Sequence, residues 1–271
     1  MTIVQAIILG LIQGLTEFLP VSSSAHLVLA ESILHVQKQG ITFEVFVHFG
    51  TLLAVVVAFW PDIAEMFSSA LRWLSHPAKS KILWSTDRGF RLLVLLIIGT
   101  IPAGFIGVLF DKTIEEAFSD PLFVSFMLLI TGVILVFSRL GKVRRQNPTV
   151  LDSILIGLSQ AFAIIPGISR SGSTISAGIL LGVEKSEAAR FSFLLALPVI
   201  LGAFILKLRA VLVGPAVPNK EILTLGIGML VAFISGYFAI IFLLDIVKKG
   251  KFSWFAVYCF IVGFVGIAYF I

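Results

Sequence analysis

Cysteine and charge are both scarce in this chain of 271 residues. Its single cysteine, Cys259, excludes an intrachain disulfide and a cysteine-rich metal site. Charged residues make up 13% of the chain and hydrophobic residues 58%, whereas soluble domains are about 25% charged and about 45–50% apolar. With a mean hydropathy of +1.08, this balance excludes a soluble globular domain. A basic residue is also lacking before the first apolar run, so we expect no cleavable signal peptide.

Acidic residues are fewer than basic ones, which gives a formal net charge of +5. In a membrane protein this excess sets orientation rather than binding nucleic acid, because cytoplasmic loops are enriched in Lys and Arg. If the loop after the first span is cytoplasmic, that side holds Arg72, Lys79, Lys81, Arg88, Arg91, Arg139, Lys142, Arg144, Arg145, Lys185, Arg190, Lys248, Lys249 and Lys251. The other side holds Lys38, Lys112, Lys207, Arg209 and Lys220. We predict a multi-pass protein of the cell inner membrane, with both termini on the periplasmic or outer side.

Apolar stretches long enough to cross a bilayer, which takes about 20 apolar residues, occur six times along the chain. They are residues 43–60, 91–110, 121–138, 188–208, 221–247 and 252–271. The sequence therefore predicts an all-α polytopic membrane protein with six transmembrane helices. Residues 1–271 are expected to form a single integral membrane domain.

Two further apolar runs, residues 3–19 and 150–165, each stop at a proline that is followed by polar residues. Each run is too short to cross once those polar residues interrupt it near mid-membrane. Non-helical backbone at that depth is tolerated only where it is buried in protein or lines a wet cavity. We therefore predict two re-entrant helical hairpins in addition to the six spans.

The order of one hairpin and three spans occurs twice in the chain. Both hairpins open with a capping threonine, Thr2 or Thr149, and the offset between them is about 147 residues. An odd number of crossings separates the hairpins, so the second half is inserted upside down relative to the first. This predicts an inverted-topology repeat, with repeat 1 at about residues 1–140 and repeat 2 at about 148–271. In such proteins the functional site lies where the halves meet.

Polar residues inside a membrane are costly, so those at the two hairpin tips are candidates for function. The first hairpin offers Gln13, Glu17, Ser22, Ser23, Ser24 and His26, and the second offers Ser169, Arg170, Ser171, Gly172, Ser173 and Thr174. If the tips meet, the site combines a carboxylate, an imidazole, a guanidinium and several hydroxyls. That set is suited to a phosphate ester or anhydride.

Anion binding is predicted at the second tip. Arg170 can bind two phosphate oxygens at once, which a lysine cannot do. Gly167 and Gly172 permit sharp turns that aim backbone N–H groups at an anion, beside a helix predicted at residues 173–181.

Proton transfer and cation binding are predicted at the first tip. His26 is the side chain there that is suited to proton transfer near neutral pH. Glu17 and Gln13 lie four residues apart on one helix face and offer hard oxygens. They predict a divalent cation, Mg²⁺ or Ca²⁺, which bridges diphosphate oxygens.

Structural roles compete with these interpretations. Serines in membrane helices often bond only to backbone carbonyls, and a buried Glu–Arg pair can serve the fold alone. Against this, both polar clusters occur where the helical pattern breaks. His48, inside the first span, is assigned a structural or local hydrogen-bonding role. Gly10 and Gly14 predict close helix packing.

These motifs resemble the undecaprenyl-diphosphatase family, also known as the bacitracin-resistance protein family. Gln13 and Glu17 match its (E/Q)xxxE motif, and residues 166–174 match PGxSRSxxT. Residues 17–26 are similar to the family's EFLPVSS segment with its histidine. Length and span pattern agree over the whole chain, and the nine-residue motif is the specific one.

The resemblance implies hydrolysis of undecaprenyl diphosphate to the monophosphate at the outer face of the cytoplasmic membrane. This step recycles the lipid carrier for peptidoglycan synthesis and confers bacitracin resistance. The site is then predicted to have catalytic residues Glu17, Ser23, His26 and Arg170, substrate-binding residues Ser169, Ser171, Gly172, Ser173 and Thr174, and metal ligands Glu17 and Gln13. Many family members carry Glu at the position of Gln13, so this chain departs from a two-carboxylate metal site.

The nucleophile is left open by the sequence, because Ser23 and His26 at i and i+3 fit several schemes. In one scheme Ser23 attacks the phosphorus with His26 as the base. In the others His26 itself attacks the phosphorus or activates a water molecule. A transporter or lipid flippase is the alternative function, since inverted repeats with broken helices are common in transporters. The expected partners are a polyprenyl diphosphate lipid and membrane lipids, with no nucleic acid, and a homodimer is left open.

Overall fold

The computed structural model describes residues 1–34, 42–110, 117, 120–213 and 219–271. Its α-helices there are α1 (Ile3–Phe18), α2 (Ser23–Ile33), α3 (Thr42–Ala58), α4 (Trp60–Ser75), α5 (Ser80–Thr86), α6 (Arg88–Leu109), α7 (Pro121–Phe137), α8 (Val150–Phe162), α9 (Arg170–Leu180), α10 (Lys185–Val213), α11 (Asn219–Lys248) and α12 (Phe255–Phe270). Within these residues the only β-type pairing is an isolated parallel bridge between Arg145 and Val183. The predicted all-α class is confirmed.

Five helices of the described chain are long and apolar enough to cross a membrane, namely α6, α7, α10, α11 and α12. Helices α3 and α4 pass the same test only together, and they meet at an angle of 81°. Counting that pair as one span gives six. The prediction of a multi-pass membrane protein is confirmed at this level.

The segment after the first predicted span, taken as a loop from the sequence, forms α4 and α5. Pro61 lies in the first turn of α4, where its missing N–H costs no hydrogen bond. Asp62, Met66 and Ser69 are buried while Phe67 is exposed.

The two short apolar helices, α1 and α8, begin where the capping signals predicted, and they end at Phe18 and Phe162, one and three residues before the ends of the predicted runs. Thr2 and Thr149 each accept a backbone hydrogen bond in a full capping box. With 16 and 13 residues, both helices are shorter than the about 20 residues that a span needs. A break follows each helix, and each break contains a residue with positive φ, Ser22 at 67° and Gly167 at 93°.

Helices of the first half of the chain pack against helices of the second half in a reciprocal pattern. Helix α1 of the first half lies along α11 of the second, and α8 of the second half lies along α6 of the first. Helices α3 and α10 pack on each other, as do α7 and α12. Each contact therefore has a counterpart when the halves are interchanged.

Glycines let the paired helices α1 and α11, and likewise α6 and α8, approach backbone to backbone. A Cβ on Gly10 would lie 2.6 Å from the carbonyl oxygen of Gly228, and one on Gly157 would lie 2.2 Å from that of Gly99. Gly14 likewise meets α11 at Ala232. The close packing predicted for Gly10 and Gly14 is confirmed.

Basic residues predicted for the cytoplasmic side gather at helix ends that meet. Buried Asp62 accepts hydrogen bonds from Arg190 at 2.9 Å and from Arg88 at 3.2 Å, which joins the starts of α4, α6 and α10. Arg145 bonds to Asp152 at 2.9 Å and to the carbonyl oxygen of Leu181 at 3.0 Å. Of the basic residues predicted for the other side, Lys38 and Lys112 and the side chains of Lys207, Arg209 and Lys220 lie outside the described residues.

The α6–α8 contact supplies a stability test. Gly157→Ala places a methyl group against the Gly99 backbone, which cannot yield as a flexible side chain can. We expect a loss of about 1–3 kcal/mol, as for other overpacked interiors, seen as a lower melting temperature in detergent. Gly104→Ala on α6 is the matched control, since a Cβ there meets nothing within 4 Å. Equal melting temperatures for the two variants would show that this contact does not limit stability.

Candidate active site

Glu17, in the last turn of α1, is the point where the two halves meet. Its Oε1 accepts a 2.8 Å hydrogen bond from Arg170 Nη2, the first residue of α9. Its Oε2 accepts hydrogen bonds from Ser23 Oγ at 2.6 Å and from Gln13 Nε2 at 2.9 Å. The structure therefore brings these four residues, all predicted from the sequence, into one buried cluster.

The two hairpin tips are also joined directly by serine hydroxyls. Gly167 N donates to Ser24 Oγ at 3.3 Å, and Ser171 Oγ donates to the carbonyl oxygen of Leu19 at 3.1 Å. Gly172 N donates to Ser169 Oγ at 3.0 Å, which caps α9. The N–H groups of Gly167 and Gly172 are thus used in contacts within the two tips.

Thr131 of α7 hydrogen-bonds to the backbone of the second tip, a role that the sequence analysis did not predict. Its Oγ1 donates to the carbonyl oxygen of Gly167 at 3.0 Å and accepts from Ser169 N at 2.9 Å. Both bonds are buried, so each satisfies a backbone group that would otherwise be costly. A hydroxyl within an apolar span was the only signal.

The remaining residues predicted to bind substrate lie away from the open space of the site. Thr174 Oγ1 donates to the carbonyl oxygen of Arg170 at 2.8 Å and lies 2.5 Å from Ser192 Oγ on α10. The residues Ser171, Gly172, Ser173 and Thr174 do not line the cavity described next. Their contacts shape the start of α9, which carries Arg170.

A cavity of about 260 Å³ opens between the two tips, α3 and α10. The first tip contributes Glu17, Ser22, Ser23 and Ser24, and the second contributes Ser169 and Arg170. Glu44, His48 and Gln160 complete its polar lining, and Val199, Ala203 and Phe204 of α10 give it an apolar wall. A polar end beside an apolar wall suits a ligand with a charged head and a hydrocarbon tail.

His26, the predicted base, lies apart from the cavity lining. Its Nδ1 is 2.8 Å from the carbonyl oxygen of Ser22, and its Nε2 is 2.7 Å from the hydroxyl of Tyr258. Because a carbonyl can only accept, Nδ1 carries the proton and Nε2 accepts from Tyr258. Both ring nitrogens are thus used within the fold, and neither reaches Ser23.

His48 is the imidazole that lines the cavity. Its Nδ1 is 2.7 Å from the carbonyl oxygen of Glu44, the local hydrogen bond expected from the sequence. Its Nε2 lies 4.0 Å from Glu17 Oε2. No local sequence pattern indicates this second contact, because it depends on how α3 packs against α1.

The predicted cation ligands, Glu17 and Gln13, are hydrogen-bonded to each other. Both oxygens of Glu17 are engaged, by Arg170 on one side and by Ser23 and Gln13 on the other. Gln13 turns its amide N–H, not its oxygen, toward Glu17. Within the described ranges, no group of three or more His, Cys, Asp or Glu side chains is arranged to hold a metal ion.

Fold and site together define a polytopic membrane protein whose buried cavity presents a guanidinium, hydroxyls and an amide beside an apolar wall. The sequence profile described as bacitracin resistance protein BacA matches residues 6–265. The chain belongs to this family, so the resemblance seen in its motifs is confirmed.

Several relatives named undecaprenyl-diphosphatase are similar over nearly the whole chain. The protein of Methanobrevibacter smithii is 44% identical over 271 residues, covering 98% of this chain and 96% of its own. That of Salinibacter ruber is 42% identical, with coverages of 98% and 99%. That of Halothermothrix orenii is 43% identical, with coverages of 97% and 96%.

Proposed function

We propose that this protein hydrolyses undecaprenyl diphosphate to undecaprenyl phosphate and phosphate. The observation that carries the proposal is the cluster of Glu17, Ser23 and Arg170 at the polar end of a cavity with an apolar wall. The shared name of its relatives supports the same activity, and it favours a phosphatase over a transporter or flippase. Such an activity would recycle the lipid carrier for peptidoglycan and confer bacitracin resistance.

We propose Ser23 as the nucleophile, with Glu17 as the acceptor of its proton. Ser23 Oγ already donates to Glu17 Oε2 at 2.6 Å, which is the geometry of a nucleophile and its base. Oγ attacks the terminal phosphorus, the bond from that phosphorus to the bridging oxygen breaks, and undecaprenyl phosphate leaves. Water then attacks the phosphorus of the phosphoserine, the bond from that phosphorus to Ser23 Oγ breaks, and Glu17 returns the proton to Ser23. Inorganic phosphate leaves with the oxygen of that water, and the water's remaining proton stays on the phosphate or passes to solvent. A phosphorylated Ser23 trapped by rapid quenching tests this order, and its absence in a turning-over enzyme would reject it.

Arg170 stabilises the negative charge that develops on the phosphoryl oxygens. Only one of its terminal nitrogens, Nη2, is bound to Glu17. The other, Nη1, is buried and has no partner within the part of the chain that the structure describes. A preorganised donor in a site with little water is worth more than one in solution.

The membrane arrangement that we propose is six spans with two re-entrant hairpins, related as inverted repeats. The reciprocal pairing of α1 with α11 and of α8 with α6 supports this, as do the two short helices that break at positive φ. We further propose that the cavity opens to the outer side of the cell inner membrane. The gathering of basic residues at the opposite helix ends supports that orientation.

Phosphate release from a C55 diphosphate by the purified protein in detergent tests the activity, since transport is impossible there. Arg170→Lys should lower turnover by about 30- to 1000-fold, because an ammonium cannot hold Glu17 and the phosphoryl group together. Arg72→Lys is the matched control, since Arg72 pairs with Asp87 at the exposed far end. Wild-type turnover in folded Arg170→Lys would remove this residue from the mechanism.

Cysteine labelling tests the orientation. Ile271→Cys at the exposed C-terminus should react with an impermeant maleimide in intact cells, while Ser75→Cys and Gln146→Cys should react only after permeabilisation. Cys259 is fully buried and supplies a low background. The reverse labelling pattern would place the cavity on the cytoplasmic side.

The divalent cation, Mg²⁺ or Ca²⁺, is a separate proposal on which none of the steps above depends. The diphosphate itself would bring the ion, and Glu17 would be its carboxylate ligand, because diphosphate oxygens bind such cations well. We expect excess chelator to abolish phosphate release and added Mg²⁺ or Ca²⁺ to restore it. Full activity in chelator would show that Arg170 handles the phosphate charge without a metal.

A further inference from the structure

Gln160, in the last turn of α8, is a buried amide without a partner. Its side chain is 1% exposed. Within the described residues neither Nε2 nor Oε1 makes a hydrogen bond. An unpaired amide in an apolar interior is destabilising, because it loses its hydrogen bonds to water and gains none. Buried polar groups are almost always satisfied, so this one calls for a ligand that satisfies it.

The position of Gln160 indicates where such a ligand lies. Gln160 lines the cavity together with Arg170, whose buried Nη1 is likewise without a partner in the described chain. The other buried side-chain atoms of this kind are Gln13 Oε1, Ser173 Oγ and Ser176 Oγ, and none of these residues lines the cavity. Two unused donors, one amide and one guanidinium, therefore meet in the same space.

The repeat explains why this amide is unused. Gln160 stands in the second half where Gln13 stands in the first, at the same offset that separates the capping residues Thr2 and Thr149. The side-chain amide of Gln13 donates its hydrogen bond to Glu17. Four residues after Gln160 the chain has Ile164, which is apolar and lines the cavity. The second half thus keeps the glutamine without the carboxylate that occupies it in the first.

We propose that Gln160 is a substrate-binding residue whose Nε2 donates a hydrogen bond to a phosphoryl oxygen of the diphosphate, beside Arg170 Nη1. This rests on the proposed function, because it takes a diphosphate as the occupant of the cavity. The charge balance favours a second donor, since Glu17 already offsets the charge of Arg170. A neutral amide adds a donor to the anion without adding another buried charge.

The test uses inorganic pyrophosphate as the probe and the full-length protein in detergent. Gln160→Met keeps the length of the side chain and removes both polar atoms, while Gln160→Glu keeps the shape and replaces the donor with an anion. We expect both variants to weaken pyrophosphate binding by about 10- to 100-fold, the range for a hydrogen bond to a charged group. Binding is measured as the pyrophosphate-dependent rise in melting temperature and as inhibition of phosphate release. Ser159→Ala on the same helix is the matched control, since its hydroxyl bonds to the carbonyl oxygen of Ile156 in its own helix and Ser159 does not line the cavity.

The melting temperature without pyrophosphate separates binding from a structural role. If the Gln160 amide is unpaired until a ligand binds, the Gln160→Met variant should melt at or above the wild-type temperature, because the substitution removes unpaired buried atoms. A lower melting temperature in Gln160→Met, with unchanged pyrophosphate affinity in Gln160→Glu, overturns the proposal. Wild-type affinity in both variants overturns it as well. A third outcome separates the two proposals. If the wild-type protein binds pyrophosphate but releases no phosphate from the lipid, and both variants bind pyrophosphate more weakly, the proposed function fails while the role of Gln160 stands.

Discussion

The buried ion pair between Glu17 and Arg170 is the interaction on which the rest of the site depends. Its partners come from different halves of the chain and are 7% and 17% exposed as side chains. Charges taken out of water are tolerated only when pairing and further hydrogen bonds offset a desolvation cost of several kcal/mol. Ser23 and Gln13 supply those bonds to Glu17. The end of α1 and the capped start of α9 bring both charges together.

Unused hydrogen-bonding capacity is concentrated at this meeting point. Arg170 keeps one terminal nitrogen free of protein partners in the described chain, and Gln160 keeps its whole amide. Ser22 adds a backbone conformation at φ 67° that a residue other than glycine rarely adopts. Unpaired buried groups and an unfavourable backbone conformation each lower the stability of a fold, and the proposed diphosphate would pair the groups of Arg170 and Gln160. Such a trade of stability for binding is common at functional sites.

Local signals made much of the fold predictable. The capping boxes at Thr2 and Thr149 and the long apolar runs are read from neighbouring residues, and the structure has both capping boxes and five of the six predicted spans as single long helices. Contacts between distant segments were harder to predict from the sequence. His26 was a candidate base or nucleophile because an imidazole is suited to proton transfer near neutral pH, yet its ring turns toward Tyr258 of α12. His48 and Gln160 reach the cavity only through the packing of α3 and α8, which no local pattern encodes.

A double-mutant cycle on the ion pair tests the account most directly. Glu17→Gln and Arg170→Met each leave one buried charge unpaired, which should cost about 3–5 kcal/mol of unfolding free energy. The double variant removes both charges, so its loss should be smaller than the sum of the two by about 0.5–3 kcal/mol. The free energies come from denaturation in mixed micelles. Losses that add, with no coupling between the two positions, would contradict the claim that this pair joins the halves of the protein.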